Sequence, residues 1–143
     1  MDRVSVFRLN LLRAAYLVIA VGLGVYIWPS LAQPPAGVDH MRGVVRALLA
    51  AVGLLALIGI RHPLRMLPLL FFELTWKSIW ALAIGIRLRA GDAFTPGTWE
   101  TWRDCLVGVV LCLAVIPWGY VIATYVRAPG DRWSGASPAG AGS

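Results

Sequence analysis

The sequence predicts an all-α fold: an integral membrane four-helix bundle with its N- and C-termini cytoplasmic. Three observations predict it. Hydrophobic residues make up 59% of the chain and charged residues only 14%, whereas a soluble domain needs roughly a quarter of its residues charged to clothe its surface. The apolar residues gather into four runs, each near the roughly 20 residues with which a helix crosses about 30 Å of hydrocarbon. The runs are long and unbroken, without the two-residue alternation of an outer-membrane barrel.

The first run extends from Leu9 to Trp28 behind a basic start. With Ser30-Leu31-Ala32 ahead of Gln33 it has the outline of a cleavable signal peptide. It is read as a retained signal anchor, cleavage after residue 32 being the competing reading. PSLAQPPAGVDH follows, where prolines and a glycine are expected to stop the helix. The second run, Gly43 to Ile60, carries a small-residue face of Gly43, Ala47, Ala50, Ala51, Gly53, Ala56 and Gly59, expected to meet Ala15, Gly22 and Gly24 of the first. Lipid tails are as apolar as leucine, so helices in a bilayer hold together by such close approach and by polar links.

RHPLRM, Arg61 to Met66, makes a tight turn. Pro68 then falls in the first turn of the third run, Leu67 to Ile86, where its missing N–H costs nothing. Arg87 to Trp102 reads as a polar, aromatic-flanked loop. The fourth run, Cys105 to Val126, contains Pro117, which cannot bond to the carbonyl of Leu113 and should kink the helix. Residues 1–126 thus form one transmembrane domain, and 127–143, ending SGASPAGAGS, a flexible cytoplasmic tail.

Arginines set the expected orientation. Arg3, Arg8 and Arg13 stand at the start of the first run and no basic residue follows it until Arg42, which keeps the N-terminus cytoplasmic. Arg61, Arg65, Arg127 and Arg132 then fall inside, and Arg42, Arg46, Arg87, Arg89 and Arg103 outside. Trp28, Trp99 and Trp102 mark the outer interface, and Cys105 is expected to be reachable from the periplasmic side while Cys112 is not. Near-exclusive use of arginine alongside many alanines and glycines suggests a GC-rich bacterial genome and hence the bacterial inner membrane. The net charge of +6 is spread singly at the ends of apolar runs, which gives no support to nucleic-acid binding.

FFELTWKSIW, Phe71 to Trp80, is the stretch that departs from lipid-compatible composition. Glu73 and Lys77 lie about 9 and 15 Å into the third helix, and a charge at that depth costs about 2.5–3.5 kcal/mol on insertion scales. Glu four residues ahead of Lys is the favourable order for mutual neutralisation, so both should face the protein interior. By depth, Arg13, Tyr16 and Tyr120 can converge on Glu73, with Trp76, Trp80 and Trp118 as walls. The reading divides between an interhelical network fixing register and a ligand, ion or proton site.

Cys105 and Cys112, seven apart on one helix, stand about 10 Å apart along its axis, too far for a disulfide between them. His40 and His62 fall on opposite membrane faces, so no metal site is expected. No Ser/His/Asp set, phosphate loop, HExxH or CxxCH occurs, which argues against an enzyme. The sequence specifies no cofactor.

The early Arg13, the segments VGLGVYIWP and MRGVVRALLAAVGLLAL, the short basic turn and two further spans resemble the small DoxX-like four-helix bacterial membrane proteins. That resemblance implies a four-helix bundle, sometimes linked to redox or quinone-associated complexes, and assigns no site residue. The leading expectation is a helix-packing subunit whose partners are the lipid bilayer and either further copies of itself or a membrane complex. A transporter or binder of a small ligand at Glu73 and Lys77 is the alternative, and a membrane redox protein the second alternative.

Overall fold

The computed structural model describes residues 4–32, 37, 39–91 and 93–130. Every regular element among them is helical: α1 (Val6–Tyr26), α2 (Trp28–Ala32), α3 (His40–Arg61), α4 (Leu67–Arg89), α5 (Pro96–Val115), α6 (Trp118–Val121) and a π-helical turn (Ile122–Arg127). Three helical stretches, Val6–Ala32, His40–Arg61 and Leu67–Arg89, are long and apolar enough to cross a membrane, or four if the bent pair Pro96–Val115 and Trp118–Arg127 is one span. Val21, Val44, Ile79, Leu82 and Val110 point outward, the cladding that a hydrocarbon solvent requires. Arg3, Gln33, Asp92, Arg132 and most of the expected tail lie outside the described residues.

Several boundaries differ from the sequence reading, each for a local reason. Helix α1 begins at Val6 because Ser5 caps it, its side chain accepting from the Arg8 amide at 3.3 Å. The chain does not leave the helical state at Pro29, which occupies the first turn of α2, where no N–H is needed. Ser30 Oγ donates to the Ile27 carbonyl at 2.7 Å across that joint. Helix α4 runs to Arg89 and is closed by Gly91 at φ +90°, its amide reaching the Leu88 carbonyl at 3.1 Å.

The largest boundary correction concerns the fourth span. The expected loop through Trp102 is helical from Pro96, because Thr95 accepts from the Thr98 amide as N-cap and proline takes the first position. At its other end the span is broken rather than kinked. Ile116 is extended (φ −62°, ψ 125°), as the residue before a proline prefers. The two segments meet at 73°.

Freed carbonyls at this break find new donors. Trp118 Nε1 donates to the Leu113 oxygen at 2.8 Å and Arg8 Nη1 to the Ile116 oxygen at 3.4 Å. Two carbonyls at the break are thus met by side chains of the protein itself, as an apolar environment favours.

The long helices pack chiefly as two antiparallel pairs, α1 with α3 and α4 with α5. In the first pair Leu23 faces Gly53, whose added Cβ would stand 3.3 Å from Leu23 Cβ. Tyr16 lies on Gly59, where a Cβ would come within 2.5 Å of the ring. Ala50 is buried with them, but Gly22 and Gly43 border open space and Ala47 and Ala51 are exposed. The small-residue contact is thus confined to the later turns of α3, because the expected stripe drifts around the helix and only part of it meets α1. In the second pair Trp102 Nε1 donates to the Ala81 carbonyl at 3.0 Å.

The core joins the pairs near the α3–α4 turn. Leu12, Tyr16, Ala56, Leu67, Leu70 and Ile116 are its innermost residues. Between the pairs, α1 and α5 meet less closely than the helices within each pair, which leaves a seam between them.

Candidate functional site

Helix α4 delivers Glu73 and Lys77 to the floor of that seam. Glu73 is 2% exposed. Its Oε2 pairs with Lys77 Nζ one helical turn on, while Oε1 has no hydrogen-bond partner. The Lys77 ammonium also lies 4.5 Å from the Trp76 ring centroid, a cation–π contact. Its stem rests on α5 at Gly108, where a Cβ would fall 2.8 Å from Lys77 Cδ. Any larger residue at 108 would displace the lysine.

Cavities lie on either side of the pair. One of about 350 Å³ is walled by Leu11, Ala15, Ile19 and Leu70 with Cys112 and Val115 of α5. The second, of about 560 Å³, reaches Gly22, Tyr26, Trp76, Thr101 and Asp104. Val18, Ile19, Glu73 and Lys77 line both. A third, of about 370 Å³, lies at the broken end between Ser5, Arg8, Trp118 and Tyr120. On α1 and its N-cap, Ser5, Arg8, Leu11, Ala15, Ile19, Gly22 and Tyr26 are among the lining residues and stand three or four positions apart, so one face follows the seam.

No family model, curated protein or solved structure matches the chain. Its chemistry therefore has to be read from the residues themselves.

Of the five residues expected to gather, the structure brings together Glu73 and Lys77 and does not bring Arg13, Tyr16 or Tyr120 to them. Arg13 is exposed and donates to Asn10 Oδ1 at 2.8 Å. Tyr16 is fully buried and donates to the Pro63 carbonyl at 3.0 Å, tying α1 to the α3–α4 turn. Tyr120 lines the third cavity. Depth fixes height along a helix but not direction around it: Leu12 and Tyr16 turn to the core while Leu11 and Ala15 turn to the seam.

Cys105 is 3% exposed, which corrects the expectation that it meets solvent. Gly108 was not singled out in the sequence, and Trp76 was expected as a wall rather than as a hydrogen-bond donor. The spacing of Cys105, Gly108 and Cys112 on one α5 face was the available signal for the former. Trp76 Nε1 is buried without a partner, three residues from Glu73. The site thus combines a neutralised ion pair, one unsatisfied acceptor, one unsatisfied donor and apolar walls. Among the described residues no three His, Cys, Asp or Glu side chains gather to hold a metal.

Proposed function

We propose that this chain is a four-span protein of the bacterial cytoplasmic membrane, both termini inside, that binds a small amphipathic ligand in the α1–α5 seam. The observation that carries this reading is Glu73 Oε1: a buried carboxylate oxygen without a donor, in the wall of an apolar cavity of about 350 Å³. Ligand sites are concave and mostly apolar with a few placed polar groups, typically roughly 300–1,000 Å³. An ion pair needed only to fix helix register would gain from having both oxygens satisfied. The arginine distribution supports the orientation, and the DoxX-like sequence features support a small bacterial bundle.

Ala15→Leu tests the reading, because it fills the cavity with a lipid-compatible side chain. The chain is to be taken from its membrane in polymer-bounded discs and the small molecules recovered with it identified by mass spectrometry. The parent should retain a non-phospholipid amphiphile that Ala15→Leu loses. Identical recovery from both would contradict the proposal.

A second reading, self-association through α1 and α3, is favoured by one observation. Gly24 and Gly43 border open space within the chain and line neither chamber, and small residues are those by which helices approach closely in lipid. Gly24→Leu with Gly43→Leu should then convert an oligomer to a monomer by native mass, whereas a chain already monomeric would exclude this reading.

A further inference from the structure

Glu73 Oε1 and Trp76 Nε1 are buried without partners. They belong to α4 residues three apart, which share a helix face with Cβ atoms about 5–6 Å from each other. The carboxylate oxygen can only accept and the indole N–H can only donate. A hydroxyl answers both, giving its proton to one and a lone pair to the other. An ether or ketone cannot donate, and an ammonium cannot accept.

Charge narrows the choice further. Glu73 and Lys77 already sum to zero, so a cationic head would set a second positive charge near the Lys77 ammonium. An anionic head would compete with Glu73 for it. A neutral head adds no charge to the membrane interior. Trp76 borders the larger chamber and Glu73 borders both, so the head sits where the chambers adjoin; behind it Ile19 of both and Leu11, Leu70, Leu111 and Val115 of the smaller offer alkyl contact. Val18, on the rim of both chambers, is 67% exposed, so a molecule dissolved in the bilayer reaches the site sideways without passing through water.

We infer that the ligand is a neutral amphiphile headed by a hydroxyl, whose oxygen bridges Glu73 Oε1 and Trp76 Nε1 while its hydrocarbon body occupies the α1–α5 seam. This rests on the binding function proposed above and specifies its ligand class.

Four ten-carbon probes separate the possibilities: 1-decanol, decyl methyl ether, decylammonium and decanoate. Each is titrated against the full chain in phosphatidylcholine nanodiscs and read by native mass spectrometry as occupancy in excess of that on Ala15→Leu. Decanol should bind one per chain and the other three roughly tenfold or more weakly, as expected for losing a hydrogen bond to a charged group. Equal binding of alcohol and ether, the result if a water bridges the two atoms, would overturn the hydroxyl assignment while leaving the binding function standing. Tightest binding of decylammonium or decanoate would do the same. If none of the four exceeds the Ala15→Leu level, the binding function itself fails and this inference with it.

Discussion

A carboxylate 2% exposed persists in an apolar interior only because a partner compensates it, and Lys77 compensates one of the two oxygens of Glu73. Removing either member of such a pair leaves a lone buried charge at a cost of about 3–5 kcal/mol, whereas replacing both by neutral groups can be near neutral. Glu73→Gln and Lys77→Met should each lower stability by about that amount, less for Glu73→Gln because Lys77 keeps partial exposure. The double variant should recover most of it, and unfolding in detergent measures this. Equal, additive losses would mean that the pair is not coupled. Tyr16→Phe should cost about 1 kcal/mol through loss of the bond to Pro63, in the same assay. At this scale the i, i+4 spacing made the Glu73–Lys77 pair legible. The direction of Arg13, Tyr16 and Tyr120 was not, because it depends on how whole helices pack.

Among the elements, the four apolar runs were legible from hydropathy, and Pro68 and Pro117 from backbone chemistry. The early start of α5 was written in Thr95-Pro96 but masked by the polar residues around it. The extent of the break at Pro117 was not legible: a proline alone permits a kink, while the 73° bend also needs Trp118 and Arg8 to take up the freed carbonyls. Pro117→Ala restores the N–H that the Leu113 carbonyl lacks and should straighten the span. Spin labels at Val107 and Val126 should then approach the roughly 28 Å expected across nineteen residues of continuous helix. An unchanged separation would mean that Trp118 and Arg8 hold the bend without the proline.

For the whole molecule, two helix pairs joined at one end produce a seam, and that arrangement emerges only from long-range packing. Orientation is testable because both native cysteines are buried, so added ones report cleanly. Ala93→Cys should react with an impermeant thiol reagent from the periplasmic face and Arg65→Cys only from the cytoplasmic face. The reverse pattern would invert the proposed topology. The most direct test of the central claim is photo-crosslinking with a diazirine derivative of 1-decanol in nanodiscs, mapped by peptide sequencing. Labels concentrated on residues 11–19 of α1 and 105–115 of α5, and displaced by excess 1-decanol, are the predicted result; labels spread evenly over the outward faces of all the helices would contradict it.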